Sequence, residues 1–450
     1  MKFEFNHLEK SVLDSLSKKG RVYLVGGIVR DMVMYQKVDY HDVDVEIYDL
    51  EIDEIIDILS QYGKVNEVGK SFGILKLDCL PNFDFALPRI ERKKGQTHRE
   101  FEVEVHKNLD MKIACRRRDF TINAMAYNDE VGLVDPFNGM EDIEYNKIRC
   151  VGRPEDRFAE DALRILRAIR FASQLEFVIE PGTDWNISKM CKNLENISIE
   201  RINSEFCKIA VSKEFCIQMV LYHDVFSLFI PEIKDMIGFK QNNPYHTYDV
   251  WNHTVYAVEY CESDDLVTRL AVFFHDFGKP HCYQDGEDGV RHFKGHGKVS
   301  ADMTNEIMKR LRFDNDTREK VVELVYYHDA TFEVGKKYVK RWLNKIGEEQ
   351  FRRLLNVRRA DIKAQADMNQ ETRLQKIDNI GYILDEVLQD DECFSLKDLA
   401  VNGKDLIAIG YKSGKEIGEV LNNLLDSVIS GEYINEKEKL LEIAERRLYG

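Results

Sequence analysis

Over roughly the first 150 residues, apolar positions switch between helical and alternating spacing. Beyond that, helical spacing dominates. Leu8, Val12, Leu13 and Leu16 predict a helix over 7–18, stopped by Gly20. Residues 21–25 predict a strand that runs into Gly26-Gly27, followed by a short helix over 28–35. Residues 43–48 alternate as a second strand, Ile52–Leu59 is amphipathic and helical, and 71–80 and 83–87 are further strand candidates. Such an order predicts a mixed α/β unit built on a small sheet. From about Arg157 the pattern is helical, with Pro154, Pro181, Pro231, Pro244 and Pro280 at apparent joints. In the charged, Leu-rich final hundred residues, Asn402-Gly403, Gly410 and Gly414 read as helix ends.

A length of 450 residues suggests about three domains, and 44% apolar with 32% charged residues excludes wholesale disorder. The longest apolar run, at 270–274, is far short of the ~18 residues of a membrane span. The opening MKFEFNHLEK lacks a basic-then-apolar signal pattern, and nine cysteines form no CxxC pair, so a reducing cytoplasm is the expected setting. The net charge of −16 argues against a generic nucleic-acid coat, although that sum can hide a local basic groove.

Candidate chemistry falls in three places. The first is Gly26-Gly27-Ile28-Val29-Arg30-Asp31, where glycines allow close approach of a phosphate and a helix start offers free N–H groups; a plain tight turn is the alternative. Asp42-Val43-Asp44 follows in the second strand, where residues two apart face the same side. Paired carboxylates there repel, and a divalent metal removes the repulsion; a solvated acidic edge is the alternative. Asp84, in Phe83-Asp84-Phe85, is either a third carboxylate of that set or a plain strand residue. Glycines followed by this strand resemble the nucleotidyltransferase superfamily whose palm includes DNA polymerase beta.

The second place is residues 115–171. RRRDFTINA puts guanidiniums beside Asp119, and Asp135-Pro136-Phe137-Asn138-Gly139 is a positioning turn. In RFAEDALRILRAIRF, helical spacing places Asp161, Arg164, Arg167 and Arg170 on one drifting stripe, which could equally be surface ion pairs. Together GGIVRD…DVD, RRRDFTINA, DPFNG and RFAEDALRILRAIRF, over about 150 residues, resemble the class II tRNA nucleotidyltransferases and the related bacterial poly(A) polymerases.

That resemblance implies that Asp42 and Asp44 hold two Mg²⁺ for in-line attack of an RNA 3′-hydroxyl on an α-phosphate, with release of pyrophosphate. By the same resemblance Gly27 and Arg30 hold the triphosphate, and Arg118 and Asp119 sit near sugar and phosphates. Asp161 and Arg164 read the incoming base with Arg167 and Arg170 in support. Cytosine and adenine both offer an amino donor beside a ring-nitrogen acceptor, which an Asp and an Arg can match, whereas guanine and uracil present the reverse. The basic stretch 89–99 reads as a mobile loop or an ordinary hairpin tip; the resemblance implies that a loop at this place helps the change from CTP to ATP.

The third place holds seven of the twelve histidines, within 246–328. His253, His275-Asp276-Phe277-Gly278-Lys279-Pro280, His296 and His328-Asp329 are spaced in a way that resembles the HD phosphohydrolase superfamily. The likeness implies a site for Mn, Ni or Mg held by His253, His275, Asp276 and Asp329, with His296 and His328 next. It would act on a 2′,3′-cyclic phosphate or phosphomonoester at damaged RNA ends; a degenerate structural domain is the alternative.

The reading as a whole is an α/β nucleotidyltransferase palm at 1–150, a nucleotide-selecting neck and helical body at 151–235, an HD domain at 236–345 and a helical tail at 346–450. Residues 401–407 and 410–414 resemble the C-terminal helical region of HD-containing family members, which implies that the tail contacts the tRNA elbow; packing alone is the alternative. The expected function is addition of CCA to the tRNA 3′ end from CTP and ATP, with no membrane and no protein partner evident. RNA contact is expected from local clusters at 92–99 and 112–118. A poly(A) polymerase, or an enzyme adding only A or only CC, is the nearest rival; the lack of a long basic C-terminal extension is expected to disfavour polyadenylation. Rivals of other classes are a phosphohydrolase, or a tRNA-binding scaffold, with an inactive palm.

Overall fold

A computed structural model of the protein describes residues 3–36, 41–68, 73–93, 101–390, 392–412 and 414–449. The chain folds as two compact units, Met1–Glu214 and Phe215–Gly450.

The first unit is built on strands β1 (Val22–Val25), β2 (Val43–Ile47), β3 (Val65–Val68), β4 (Ile74–Leu77) and β5 (Leu80–Ala86). A separate two-stranded ribbon, β6 (Arg89–Lys93) and β7 (Phe101–Val105), comes next, and β8 (Ala126–Asn128) and β9 (Gly132–Val134) complete the sheet. The sheet order is β3-β4-β5-β2-β1-β8-β9, with β2 parallel to β5 and every other neighbouring pair antiparallel. Strand alternation sets its two faces. Val43, Val45 and Ile47 join Val22 and Leu24 in the main core under helices His7–Ser17, Gly27–Tyr35 and Ile52–Leu59. The opposite face carries Tyr23, Val25 and Tyr48, covered by Ala114 of helix Met111–Arg116. Asp44 and Glu46 share that second face, because Asp44 pairs with Val25 and Glu46 with Tyr23.

Helix Gly27–Tyr35, the second strand and helix Ile52–Leu59 fall where the periodicity puts them. The helix expected through 157–171 differs. Helix Pro154–Glu160 ends at Asp161, which is extended (φ −144°), and a new helix runs Leu163–Leu175. The Asp161 carboxylate accepts from the Leu163 N–H at 3.1 Å, a local side-chain-to-backbone bond by which Asp competes with a continuous helix. Residues 94–99 of the basic stretch lie outside the described residues.

The second unit is largely helical. Helices Val250–Glu259, Leu266–Phe274, His296–Arg310, Asn315–Tyr327 and Lys336–Ala364 surround the histidine cluster, the last helix being broken at Gly347 (φ 77°). Asn402 caps helix Gly403–Ala408 with a reciprocal box to Asp405, Gly410 follows that helix, and Gly414 precedes helix Lys415–Ile429. These helices and Lys437–Tyr449 bury a core of their own around Leu406, Leu424 and Leu440. No described helix is long and apolar enough to cross a membrane.

Candidate active sites

In the first unit the site forms where β1 ends. Gly26 turns the chain with φ +80°, and a Cβ there would lie 2.9 Å from Arg118 Nη1 and 3.1 Å from Asp44 Oδ2. The turn thus brings a guanidinium and a carboxylate to one spot, and only glycine leaves room. Asp44 is in register with Asp84 on β5, so two carboxylates stand side by side across parallel strands. Burial raises the Asp44 carboxyl above its ordinary value; Arg118 opposes this, while Asp42, Asp84 and Glu46 add to it. That accumulated negative charge is what a divalent cation relieves, so this donor set fits the metal the sequence implies. Asp84 already has a partner, Lys76 Nζ at 2.6 Å. Asp44, Glu46, Asp84, Arg89, Arg117 and Arg118 line a cleft of about 140 Å³.

Arg30 is held nearby. Its Nη1 donates to Asn123 Oδ1 at 2.8 Å, its Nε donates to Asp31, and its guanidinium lies 5.3 Å from the Phe171 ring centre. Asp119 is buried and pairs with Arg167 (Nη2 to Oδ2, 2.5 Å); burial pushes its carboxyl up, but Arg167 and Arg164 outweigh this and hold it low. Arg164 donates to Glu160 (2.7 Å) and to the Arg117 carbonyl (2.8 Å), tying the selecting segment to RRRD. Asp161 accepts from Arg201 at 2.7 Å, and Arg170 pairs with Glu205 at 2.7 Å. Hence Arg167 meets Asp119, whereas Asp161, Arg164 and Arg170 are tied elsewhere than to one another. Glu46, Arg201 and Glu205 were not singled out from sequence, since a lone buried Glu or a distant helix partner carries no local pattern. The one signal available was that Glu46 continues the alternation of Asp42 and Asp44.

In the second unit His275, Asp276 and Gly278 sit on the turn after helix Leu266–Phe274. Gly278 packs so closely on helix His296–Arg310 that a Cβ would lie 2.5 Å from the Ser300 nitrogen. Four imidazoles converge through Nε2: His253 and His275 are 3.2 Å apart, and His296 and His328 3.0 Å apart. Each Nδ1 faces a backbone carbonyl, of Ala364, Val272, Phe293 and Val325 respectively. Donation through Nδ1 would leave Nε2 as the lone-pair atom, the arrangement of metal-binding histidines. At His253 burial pushes the imidazole down, but Asp276 and Asp361 beside Nε2 outweigh this and raise it to about 9. Asp276 lies between the pairs, with Oδ2 3.2 Å from His275 and Oδ1 3.4 Å from His296. His253, His275 and Asp276 could hold one ion, and Asp276, His296 and His328 another. Burial alone would push the Asp276 carboxyl up, but His275, Lys279 and His253 hold it well below the usual range. Burial pushes the His296 imidazole down to about 4, so it stays neutral and able to ligate.

Asp361, not singled out from sequence, lies 3.1 Å from His253 Nε2 and is buried. Asp329, expected in that role, is 61% exposed and nearest His296 Nδ1 at 3.7 Å, at the rim of a cleft of about 290 Å³. Helix Asn315–Tyr327 ends just before His328, which leaves Asp329 beyond its C-terminus, while Asp361 sits on the long helix Lys336–Ala364, whose Ala364 carbonyl faces His253.

A carboxylate pair at a glycine turn, faced by arginines, on this sheet makes the first unit a nucleotidyltransferase head. Residues 22–149 match the poly A polymerase head domain, 176–237 a probable RNA- and SrmB-binding site of polymerase A, and 296–444 a putative tRNA nucleotidyltransferase domain 2. The multifunctional CCA protein of Psychromonas ingrahamii is 31% identical over 68% of this chain and 74% of its own length. A CCA-adding enzyme of Ligilactobacillus salivarius is 28% identical over 97% of this chain and 95% of its own. In fold, the chain is similar to the Bacillus stearothermophilus CCA-adding enzyme in complex with CTP (TM-score 0.67, 21% identity, 99% and 98% coverage). The chain belongs to the tRNA nucleotidyltransferase and poly(A) polymerase family, and it is an enzyme of that kind.

Proposed function

We propose that the first unit adds CCA to the 3′ end of tRNA from CTP and ATP, selecting each nucleotide without a nucleic-acid template. The carrying observation is the meeting of Asp44, Asp84 and Arg118 at the Gly26 turn. Mg²⁺ held by Asp42 and Asp44, with Asp84 beside them, would supply activation of the attacking hydroxyl and neutralise charge on the transferred phosphate. Gly27 offers its helix-start N–H to the triphosphate, Arg30 and Arg118 neutralise its oxygens, and Asp119 orients Arg167 beside the sugar. Asp161 accepts from the amino group of cytosine or adenine while Arg164 donates to the ring nitrogen. Arg201 must share Asp161 for that contact to form. Polyadenylation or partial addition of A or CC uses the same groups, so product sequence decides. With tRNAs lacking CCA, ending in C and ending in CC, a uniform CCA end is expected from CTP plus ATP. Long A tails, or extension of the CC-ended tRNA alone, overturn the CCA reading.

A second reading, an HD-type phosphohydrolase in residues 236–345 completed by Asp361, is supported by the four converging Nε2 atoms. Divalent metal there would supply an activated water for a 2′,3′-cyclic phosphate or phosphomonoester. Lys279, 2.7 Å from Asp276, places a cation at the same cleft. An active palm and an active hydrolase are separable: Asp42→Ala abolishes transfer and spares hydrolysis, and Asp276→Ala does the converse. Loss of both activities in either folded variant sinks the two-site reading. The proposal includes a palm at 1–150, a neck and body at 151–235, an HD domain at 236–345, a tail at 346–450 and a cytoplasmic setting.

A further inference from the structure

Glu46 is the most enclosed carboxylate of the palm cleft, its side chain only 3% exposed. Its Oε1 lies 2.5 Å from Arg117 Nη2 and 3.4 Å from Arg118 Nη2, and its Oε2 accepts from the Tyr48 hydroxyl at 3.1 Å. Two arginines, themselves 18% and 14% exposed, therefore share one buried anion. Arg118 reaches on to the Gly26 turn and to the charge of Asp44. Since Asp44 and Glu46 are two apart on one strand, they face the same side and compete for the same guanidiniums.

We propose that Glu46 is a positioning residue of the transfer site. It anchors Arg117 and Arg118 beside the Gly26 turn, so that Arg118 keeps N–H groups for the nucleotide phosphates there instead of closing fully on the neighbouring Asp44. The inference rests on the nucleotidyl-transfer reading. Without the Glu46 charge, two buried guanidiniums repel each other, and the nearest remaining anion for Arg118 is Asp44. Arg118 then turns from phosphate to carboxylate, where it also opposes a metal ion electrostatically.

The test is Glu46→Gln, which keeps shape and removes charge. Equilibrium CTP binding is measured by calorimetry on the whole protein with Ca²⁺ in place of Mg²⁺ and no tRNA, alongside steady-state CMP transfer. The expected result is a dissociation constant for CTP raised about tenfold, the loss of roughly one charge-assisted hydrogen bond. The apparent Mg²⁺ requirement should rise with it, while kcat at saturating CTP and Mg²⁺ falls less than threefold. Wild-type CTP affinity in E46Q overturns the proposal, as does a loss confined to kcat and thermal stability. If E46Q does not fold, Glu46→Asp, whose shorter stem cannot span both arginines, carries the same test by the same two criteria. A wild-type protein that binds neither CTP nor ATP overturns the transfer reading itself, and is distinguishable from failure of the Glu46 inference alone.

Discussion

Gly26 shows how narrow the tolerance of the palm is. Its positive φ and the 2.9 Å approach of Arg118 mean that Gly26→Ala strains the backbone and displaces the guanidinium together. A fall in CMP transfer on the order of 10²-fold or more is expected, with melting shifted by only a few degrees; transfer within threefold of wild type contradicts the geometry. In the second unit the informative comparison is Asp361 with Asp329. Asp361→Asn removes a buried anion at His253, so metal content by elemental analysis should drop at least by half. Asp329→Asn, at the exposed rim, should leave metal content unchanged. Equal losses in both variants would return Asp329 to the ligand set.

Helix ends carry much of the local stability, and Asp265 is the clearest case. Its carboxylate accepts from the Thr268 N–H and hydroxyl at the start of helix Leu266–Phe274 and meets Arg353 Nε at 2.9 Å. Burial would raise this carboxyl, but the Arg353 and Thr268 bonds outweigh it and hold it below its ordinary value of 3.8. A depressed carboxyl contributes stability that is present above the unfolded-state value and lost as pH falls through the folded one. Asp265→Ala should therefore cost about 1 kcal/mol at pH 7, mostly the cap. The exposed ion pair adds little, since the side chain is 37% exposed. The difference should shrink as pH falls below 3.8 and through the lower folded-state value. A cost that persists unchanged at pH 3 would mean that charge has no part in it. Asp161 is a related case: extended at the end of helix Pro154–Glu160, it splits one predicted stripe into two segments, and one of its carboxylate oxygens meets Arg201.

Each unit has its own core, so they should respond separately to metal. Six buried groups able to ligate a metal cluster in the second unit, and on the proposed metal-bound reading, removal of the cation would leave them mutually unsatisfied. Chelation should lower the melting of Phe215–Gly450 and leave that of Met1–Glu214 nearly unchanged. For an ion present at a hundredfold over its dissociation constant the loss is about 2.7 kcal/mol. Calorimetric scans with and without chelator read this directly; two transitions that shift equally, or neither shifting, would remove the metal from the second unit.

What could be read along the chain was whatever is local and periodic. The shared face of Asp44 and Glu46 follows from strand alternation, although Asp42, expected in that strand, lies just before it; the Gly26 turn follows from a strand running into glycines, and the histidine cluster from density and spacing. These need only short-range geometry, which backbone sterics impose wherever the sequence occurs. The partnerships were decided by tertiary structure. Glu46 gathers Arg117 and Arg118 from 71 and 72 residues away, Asp161 finds Arg201, and Asp361 rather than Asp329 stands beside His253. No periodicity encodes such pairs. They arise when packing excludes water and each buried charge must take the nearest opposite one.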